Sequence, residues 1–147
     1  MAERFLGVAA VAILLDRDPS LIYRLRQEDE RFPGHAVEIV EPKGARKGWR
    51  EADILAYREG SSRSARRVER YLGVAAFAQA LGRSAARVWQ YEQTDPDFPV
   101  HAVELVERKG IRKGWREADV TAYRDHRERE ATLREPWPPA RDGRGRR

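Results

Sequence analysis

The stretches KGARKGWREAD (residues 43–53) and KGIRKGWREAD (residues 109–119) are nearly identical and differ at a single position. The similarity continues on both sides of these stretches. When the chain is compared with itself at an offset of 66 residues, 32 of the 55 positions in 4–58 match their partners in 70–124 without a gap. Because two copies are too few for a solenoid, the repeat predicts a tandem pair of small domains.

The repeat also sets the predicted boundaries. Copy 1 occupies residues 1–58, a polar linker follows at 59–69, copy 2 occupies 70–127, and a basic tail fills 128–147. The tail is rich in Pro, Gly and Arg, has no apolar face to bury, and is predicted to be disordered. Each copy is close to the lower size limit for independent folding. We therefore expect the copies to gain stability by packing on each other or by binding a partner.

The composition favours an anionic partner. The chain has a formal net charge of +5 and a pI near 9.9, and 36% of its residues are charged. This balance suits nucleic acid or a membrane surface, although a mixed-charge surface is also ordinary for a soluble protein. The sequence lacks the roughly 18-residue apolar run of a membrane span, so it predicts a cytoplasmic, nucleoid-associated protein with no membrane partner. It also lacks Cys, which excludes disulfides and thiolate metal sites.

The first helix of each copy is read from apolar spacing. In copy 2 the segment 71–82 carries apolar residues at i, i+3, i+4 and i+7, which is one face of an amphipathic helix. These residues are Val74, Phe77, Ala78 and Leu81. Gly73 is placed where a helix cap would fall, and Gly82 is placed to end this helix.

A second helix is predicted to follow a tight turn in each copy, at residues 19–28 and 85–93. Ser84 can cap it in copy 2, and Asp18 with Pro19 at the first helical position is the corresponding start in copy 1. The predicted inward side chains are Ile22 and Leu25 in copy 1 and Val88 and Tyr91 in copy 2. Two short helices joined by a tight turn form a helix-turn-helix.

A hairpin and a third helix complete each copy. Residues 31–41 and 97–107 are rich in β-branched residues after a Phe-Pro pair and are predicted as strands. The Lys-Gly pairs at 43–44 and 109–110 form the turn, and GWR is predicted to return as a short second strand at 48–50 and 114–116. A third helix follows, with these inward residues: Ile54 and Tyr57, then Val120 and Tyr123. The predicted fold class is mostly α with small β-hairpin wings (α+β).

This order of elements resembles the winged helix-turn-helix of phage and integrative-element excisionases and AlpA-type regulators, which are relatives of the MerR DNA-binding domain. SLIYRL (20–25) is similar to the Ser-Thr-Ile-Tyr-Arg-Leu of that family's recognition helix. The Phe-Pro pairs, followed by GWREAD (48–53 and 114–119), resemble its wing and following helix. The resemblance covers about 110 residues. It implies two tandem winged helix-turn-helix domains, double-stranded DNA as the partner, and a recombinase or another protein as a further partner.

In a winged helix-turn-helix the second helix enters the major groove, and its outward side chains meet base edges. The outward candidates are Ser20, Tyr23, Arg24 and Gln27 in copy 1 and Ala86, Trp89, Gln90 and Gln93 in copy 2. Arg can take guanine O6 and N7, and Gln can take adenine N6 and N7. Arg17 and Arg83 stand in the preceding turns, where they suit phosphate or base contacts. The alternative is that all of these are solvated helix residues.

The hairpin tips supply the candidate wing contacts. Three cations lie within five residues beside a Gly turn in each copy, a pattern that suits backbone phosphates or the minor groove. They are Lys43, Arg46 and Lys47, and Lys109, Arg112 and Lys113. A solvated charged turn is the alternative.

The remaining conspicuous residues are predicted to be structural. Trp49 and Trp115 are interpreted as core anchors that fix each hairpin. His35 and His101 have no ligand partners for a metal. The acidic residues that begin each third helix, Glu51 with Asp53 and Glu117 with Asp119, favour the helix dipole. With no nucleophile motif, P-loop or cofactor fingerprint, the sequence predicts no enzyme and no cofactor.

The copies diverge where they are expected to read DNA. Residues 43–53 match 109–119 at 10 of 11 positions, whereas residues 18–28 match 84–94 at one. Phosphate contacts position a protein on DNA, and base contacts specify the sequence. This contrast therefore indicates that the two hairpins hold the DNA backbone in the same way, as two equal backbone grips, whereas the two second helices act as readers of different base sequences. The predicted function is sequence-specific double-stranded DNA binding by a covalent pseudo-dimer that reads two non-identical half-sites.

Several roles fit that prediction: an excisionase-like architectural factor, a small transcriptional regulator, or a DNA-recognition subunit in phage packaging or plasmid partition. A different class is a protein-interaction module, in which Trp89 and Tyr91 of copy 2 dock a partner protein.

Overall fold

The computed structural model describes residues 2–60 and 67–134. Copy 1 forms β1 (Glu3–Leu6), α1 (Val8–Leu15), α2 (Pro19–Glu28), β2 (Val37–Glu41), β3 (Gly44–Gly48) and α3 (Glu51–Arg58). Copy 2 forms β4 (Glu69–Leu72), α4 (Val74–Leu81), α5 (Ala85–Thr94), β5 (Val103–Glu107), β6 (Gly110–Gly114) and α6 (Glu117–Arg134). The protein is therefore α+β, and each copy reads strand, helix, helix, hairpin, helix. None of the described helices combines the length and the apolar character that crossing a membrane would require.

The second helices begin where the sequence predicts. The carboxylate of Asp18 accepts a hydrogen bond from the Ser20 backbone N–H at 2.8 Å, and the Ser84 hydroxyl accepts one from the Arg87 N–H at 3.2 Å. Each satisfies an N–H that the helix leaves unpaired. The first helix of copy 2 ends at Gly82 with φ +66°, as predicted, whereas copy 1 places Asp16 there at φ +57°. A side chain in this left-handed region is strained.

Each copy has its own helical core, and the predicted inward faces are confirmed. In copy 1 the core contains Val11, Ala12, Ile22, Phe32, Trp49 and Ile54. In copy 2 it contains Phe77, Ala78, Val88, Tyr91, Trp115, Val120 and Tyr123. Both Trp side chains are fully buried, and their indole N–H groups donate to the carbonyl oxygens of Pro33 (2.9 Å) and Pro99 (3.1 Å). They are the anchors that the sequence predicts.

The first strand of each copy pairs with the sheet of the other copy. β1 lies parallel to β5, with Glu3 opposite Val103 and Leu6 opposite Val106. β4 lies parallel to β2 in the same way, so the two sheets have the orders β1-β5-β6 and β3-β2-β4. Single bridges, Leu6 with Trp49 and Leu72 with Trp115, connect each exchanged strand back to its own copy. The two copies therefore share both sheets.

A third core fills the space between the sheets and draws on both copies. It contains Phe5, Ala36, Val37, Ile39, Tyr71, Val103 and Leu105. Gly48 and Gly114 permit this packing: an added Cβ would lie 2.5 Å from Leu105 Cδ1 at Gly48 and 2.8 Å from Val103 Cγ2 at Gly114. At the rim, Arg4 Nε lies 2.9 Å from a Glu104 oxygen, and Arg70 Nε lies 3.1 Å from a Glu38 oxygen. The copies therefore pack on each other, which is the first of the two expected sources of stability.

The sequence did not predict the exchanged strands. α4 begins at Val74 after an N-cap at Gly73, as predicted, but Tyr71 and Leu72 just before it form the strand β4. For the same reason Glu69 ends the predicted linker early, and residues 61–66 of that linker lie outside the described residues. Four-residue strands are too short to show a period of their own.

The return strand of each hairpin also lies earlier than predicted. It occupies Gly44–Gly48 and Gly110–Gly114, whereas GWR was predicted to form it. The Trp residues follow these strands and make the bridges to β1 and β4 instead.

The predicted disordered tail was wrong over residues 128–134, which continue α6 as helix. The segment EREATLR consists largely of strong helix formers. The helix is also tied down just before this point: the Arg127 guanidinium lies 3.9 Å from the centre of the Tyr91 ring and 3.0 Å from a carboxylate oxygen of Asp95. Residues 135–147 of the predicted tail lie outside the described residues.

Candidate nucleic-acid interface

The hairpin of copy 1 (β2–β3, hairpin 1) adjoins the outward side of α2. A cleft of about 470 Å³ separates them, and we call it the α2 cleft. Its lining comprises Val8, Tyr23, Arg26, Glu41, Pro42, Lys43, Gly44, Ala45, Arg46, Lys47, Ala75, Glu107 and Arg112. Five of these residues are cationic and two are acidic, so the cleft attracts anions.

The hairpin of copy 2 (β5–β6, hairpin 2) adjoins the outward side of α5 in the corresponding way. Lys113 Nζ lies 2.9 Å from a Glu92 carboxylate oxygen and 5.7 Å from the centre of the Trp89 ring. Since Arg112 of hairpin 2 also lines the α2 cleft, the second helices and the two hairpins adjoin one another in the order α2, hairpin 1, hairpin 2, α5.

The two hairpins meet at a shared carboxylate. Glu107 Oε2 lies 3.8 Å from Arg46 Nη1 of hairpin 1 and 3.7 Å from Arg112 Nε of its own hairpin. Glu107 also lies against the start of α1, because a Cβ on Gly7 would be 2.3 Å from its Oε1. In the equivalent place Glu41 accepts a hydrogen bond at 3.0 Å from the Ala76 N–H at the start of α4. A carboxylate is favourable at a helix N-terminus, so each hairpin is held against the other copy's first helix.

The residues predicted to contact DNA are all solvent accessible. The side chains of Lys47 and Lys113 are half-buried, and the other fourteen predicted residues are exposed. Tyr23 is 53% and Trp89 is 41% exposed, unusual values for large aromatic side chains.

The structure brings part of the predicted set together. Five members line the α2 cleft: Tyr23, Lys43, Arg46, Lys47 and Arg112. Trp89 and Lys113 contact each other in copy 2, and Lys109 lines a smaller cleft beside the tip of hairpin 2. The remaining eight are exposed on the second helices or their preceding turns, away from these clefts: Arg17, Ser20, Arg24, Gln27, Arg83, Ala86, Gln90 and Gln93.

Sequence reasoning missed the pair of equivalent positions Arg26 and Glu92. Arg26 lines the α2 cleft, and Glu92 contacts Lys113. A signal was present, because residue 26 is three positions after Tyr23 and so shares its helix face. The tip position is a second omission: Pro42 in copy 1 is Arg108 in copy 2, and each lines a cleft beside its hairpin.

The histidines are explained by structural pairing. His35 Nε2 lies 2.8 Å from one Glu38 oxygen, and Arg70 donates to the other oxygen. The hydrogen bond from His35 is the main reason that the pKa of Glu38 is lowered, and Arg70 lowers it further. His101 and Arg4 hold Glu104 in the same way. Within residues 2–60 and 67–134 no cluster of three or more His, Asp or Glu could hold a metal ion.

A comparison of the chain with protein-family models, curated proteins and solved structures found no match. The geometry and charge of this face are therefore the features that bear on function.

Proposed function

We propose that the protein binds double-stranded DNA sequence-specifically, as two winged helix-turn-helix units joined in one chain. α2 and α5 are the readers, and the two hairpins are the backbone grips. The observation that carries the proposal is the adjacency of α2, hairpin 1, hairpin 2 and α5, together with the α2 cleft, whose lining has five cations and two carboxylates.

The charge of this face suits a polyanion that is longer than a small molecule. Cations from both hairpins line the α2 cleft, with Lys43, Arg46 and Lys47 from hairpin 1 and Arg112 from hairpin 2. Each backbone phosphate that such a cation neutralises releases a counterion, so affinity is expected to fall steeply with salt. An α-helix beside the grip has the dimensions to enter the major groove, where Arg24 and Gln90 can reach base edges.

The shared sheets support a fixed geometry for the two readers. The exchanged strands β1 and β4 and the core between the sheets couple the copies directly, so the readers do not depend on the 59–69 segment for their spacing. A bound duplex then carries two half-sites at one separation. Because the outward residues differ between α2 and α5, the two half-sites differ in sequence.

The proposal gives the protein no catalytic step and no cofactor, and it implies association with the nucleoid. The resemblance favours an excisionase-like architectural factor, acting with a recombinase, or a small transcriptional regulator. A circular-permutation bending assay on the selected site separates these roles, because an architectural factor bends its site strongly.

The docking alternative loses one of its two residues. Tyr91 is 8% exposed and packs in the copy 2 core, so the prediction of a Trp89–Tyr91 docking surface was wrong for Tyr91. Trp89 lies beside Lys113.

A DNA-recognition subunit in phage packaging or plasmid partition would hold DNA with the same hairpins and second helices. The position of the selected sequence in the genome distinguishes this role from the others.

The test is selection of bound duplexes from a random library with the full chain at near-physiological salt. We expect two enriched half-sites at one spacing. Arg24→Ala is expected to relax one half-site and Gln90→Ala the other, which assigns each half-site to a copy. Failure to enrich any sequence would remove the sequence-specific function.

Spacing variants of the selected duplex test the rigid coupling. Five inserted base pairs rotate one half-site by about half a turn relative to the other. We expect this duplex to bind no better than one with a single half-site. Equal affinity for the original and the lengthened duplex would mean that the copies move independently.

A further inference from the structure

We propose that the two copies grip DNA unequally: the α2 cleft of copy 1 holds a backbone phosphate between Arg26 and Lys47, whereas Glu92 neutralises the equivalent lysine in copy 2. The inference rests on the proposed function and assigns the stronger grip to one half-site. It depends on one pair of equivalent positions, Arg26 and Glu92, at which the copies carry opposite charges.

In copy 1 the base of the hairpin lacks a compensating carboxylate. Arg26 and Lys47 are both half-buried and both line the α2 cleft. Within the described residues, no carboxylate lies within ion-pair distance of either side chain. Two cations that line the same cleft both favour an anion there, and a bound anion lowers the repulsion between them.

The two acidic residues of the α2 cleft already have partners, and neither of them pairs with Arg26 or Lys47. Glu41 accepts a hydrogen bond from the Ala76 N–H, and Glu107 lies between Arg46 and Arg112. Both face the first helix of the opposite copy. The cleft therefore keeps an excess of positive charge for a ligand.

In copy 2 the same place is internally neutralised. Lys113 Nζ lies 2.9 Å from Glu92 and over the Trp89 ring at 5.7 Å from its centre. A phosphate that approaches Lys113 has to displace the Glu92 carboxylate and is repelled by it. Copy 2 therefore contacts the backbone through the tip of hairpin 2, where Arg108, Lys109 and Arg112 line a separate cleft.

The ligand chemistry is a phosphate oxygen, and the occupant that the face favours is a phosphodiester of duplex DNA. Tyr23, on the reading helix, lines the same cleft, which places a potential base contact beside the phosphate position. A free phosphate ion shares this chemistry but would need neither the reader nor the second hairpin.

The experiment measures binding of the full chain to three duplexes by fluorescence anisotropy over a salt series. One duplex carries both selected half-sites, and each of the others has one half-site scrambled. Lys47→Ala is expected to lower the salt slope by about 1 and Lys113→Ala by less than half of that.

Reversing the charge at the equivalent positions Arg26 and Glu92 is expected to change DNA affinity in opposite directions in the two copies. Arg26→Glu is expected to weaken binding roughly tenfold, and Glu92→Arg to strengthen it roughly tenfold on the duplex that retains the copy 2 half-site. Arg129→Glu and Glu128→Arg on α6 are matched controls, since both residues are exposed and make the same changes in net charge. We expect the controls to change affinity less than twofold, and circular dichroism melts show whether each variant is folded.

The outcomes separate the inference from the function. Equal losses of salt slope in Lys47→Ala and Lys113→Ala, with sequence-specific binding intact, would overturn the unequal grip alone. Failure to bind any selected duplex would overturn the function itself. Competition by millimolar inorganic phosphate, but not by the same concentration of chloride, would reassign the α2 cleft to a free phosphate ion.

Discussion

Copies 1 and 2 agree most where they pack against each other and differ most on the second helices, which face outward. Gly48 and Gly114 lie in equivalent contacts of the shared core, and Trp49 and Trp115 make equivalent bridges and hydrogen bonds. Among the described residues, no hydrogen bond, ion pair or ring contact joins the outward positions of α2 and α5 to the other copy. Pseudo-symmetric packing therefore explains part of the repeated phrase without reference to any ligand.

The same comparison divides the phrase into two functional parts. Its Gly-Trp pair is buried and holds the strands together. Its cations are different: Lys43 and Arg46 are exposed and Lys47 is half-buried, and the shared core contains none of them. Arg46 pairs with Glu107 of the other copy, but packing gives no reason for Lys43 and Lys47 to recur, so these two lysines remain the part that a phosphate ligand would explain.

The largest expected effect is the loss of a Trp anchor. Trp49→Ala and Trp115→Ala are each expected to lower the free energy of unfolding by about 3–5 kcal/mol, because each removes a fully buried ring and its hydrogen bond to a proline carbonyl. Urea titration followed by circular dichroism measures this. If the two variants lost clearly different amounts of unfolding free energy, the two Trp anchors would not be equivalent.

Overpacking the shared core is the next largest effect. Gly48→Ala and Gly114→Ala are expected to lower stability by about 1–3 kcal/mol, because the new methyl group meets side chains of the shared core at under 3 Å: Leu105 of the other copy at Gly48, and Val103 of the same copy at Gly114. The control is Ala45→Ile, which introduces the residue that copy 2 carries at an exposed position. If neither glycine variant changed the free energy of unfolding, the two sheets could move apart without a loss of stability.

A smaller effect is expected where the first helices end. Asp16→Gly is expected to stabilise the protein by about 0.5–1 kcal/mol, since glycine adopts φ +57° without strain. Gly82→Ala should lower stability by about 1 kcal/mol for the opposite reason. Thermal melts of both variants test the pair, and a destabilised Asp16→Gly protein would indicate that the aspartate side chain has a role of its own.

The tyrosine pairs give a pH-dependent comparison. Burial and the hydrogen bond to Asp29 raise the pKa of Tyr57 to about 12, above the ordinary value of 10.0. This pair therefore stabilises the fold fully below pH 10 and less as the pH rises toward 12. Tyr57→Phe is expected to flatten that alkaline loss, as measured by urea unfolding at pH 9 to 12; an unchanged alkaline profile would contradict the assignment.

On the acid side the copies should differ. The hydrogen bond from Tyr57 is the main cause of the lowered pKa of Asp29, so stability from it is present above the carboxylate's ordinary pKa of 3.8 and is lost as pH falls below it. In copy 2 burial opposes the lowering of the Asp95 pKa, and Tyr123 and Arg127 outweigh it. Tyr57→Phe should therefore raise the carboxylate pKa in copy 1 more than Tyr123→Phe does in copy 2, which NMR titration of the two carboxylates can compare.

The smallest expected effect concerns the charged pair of copy 2. Glu92→Ala is expected to lower stability by about 0.5 kcal/mol, because the Lys113–Glu92 pair is partly exposed and such pairs contribute little. Arg26→Ala is expected to leave stability unchanged or slightly raised, since Arg26 has no carboxylate partner among the described residues. Chemical unfolding of both variants measures this difference in stability. A clear loss of unfolding free energy in Arg26→Ala would mean that this residue holds the α2 cleft together.

Much of each copy was readable from local patterns. Asp18 and Ser84 mark helix starts because their side chains satisfy backbone groups two or three residues away. The inward residues of α2 to α6 follow helical spacing, whereas α1 (VAAVAILL) is apolar on all sides. The Trp anchors follow from a large aromatic beside a Gly turn. The candidate wing cations were also readable, but Arg26 was not, since its importance depends on the hairpin that folds against it.

The sequence by itself determined the duplication, the helices with their caps, the inward faces and the excess of positive charge, because each of these depends on residues close together in the chain. Only the tertiary structure decided the exchange of β1 and β4. It also decided that Lys47 lines a cleft together with Arg26, whereas Lys113 pairs with Glu92. A strand such as ERFL pairs equally well with either of two nearly identical hairpins, so its partner is chosen by the packing of Phe5 and Tyr71 between the sheets. A charge acts on what lies within a few ångströms, and that neighbourhood exists only after the chain has folded.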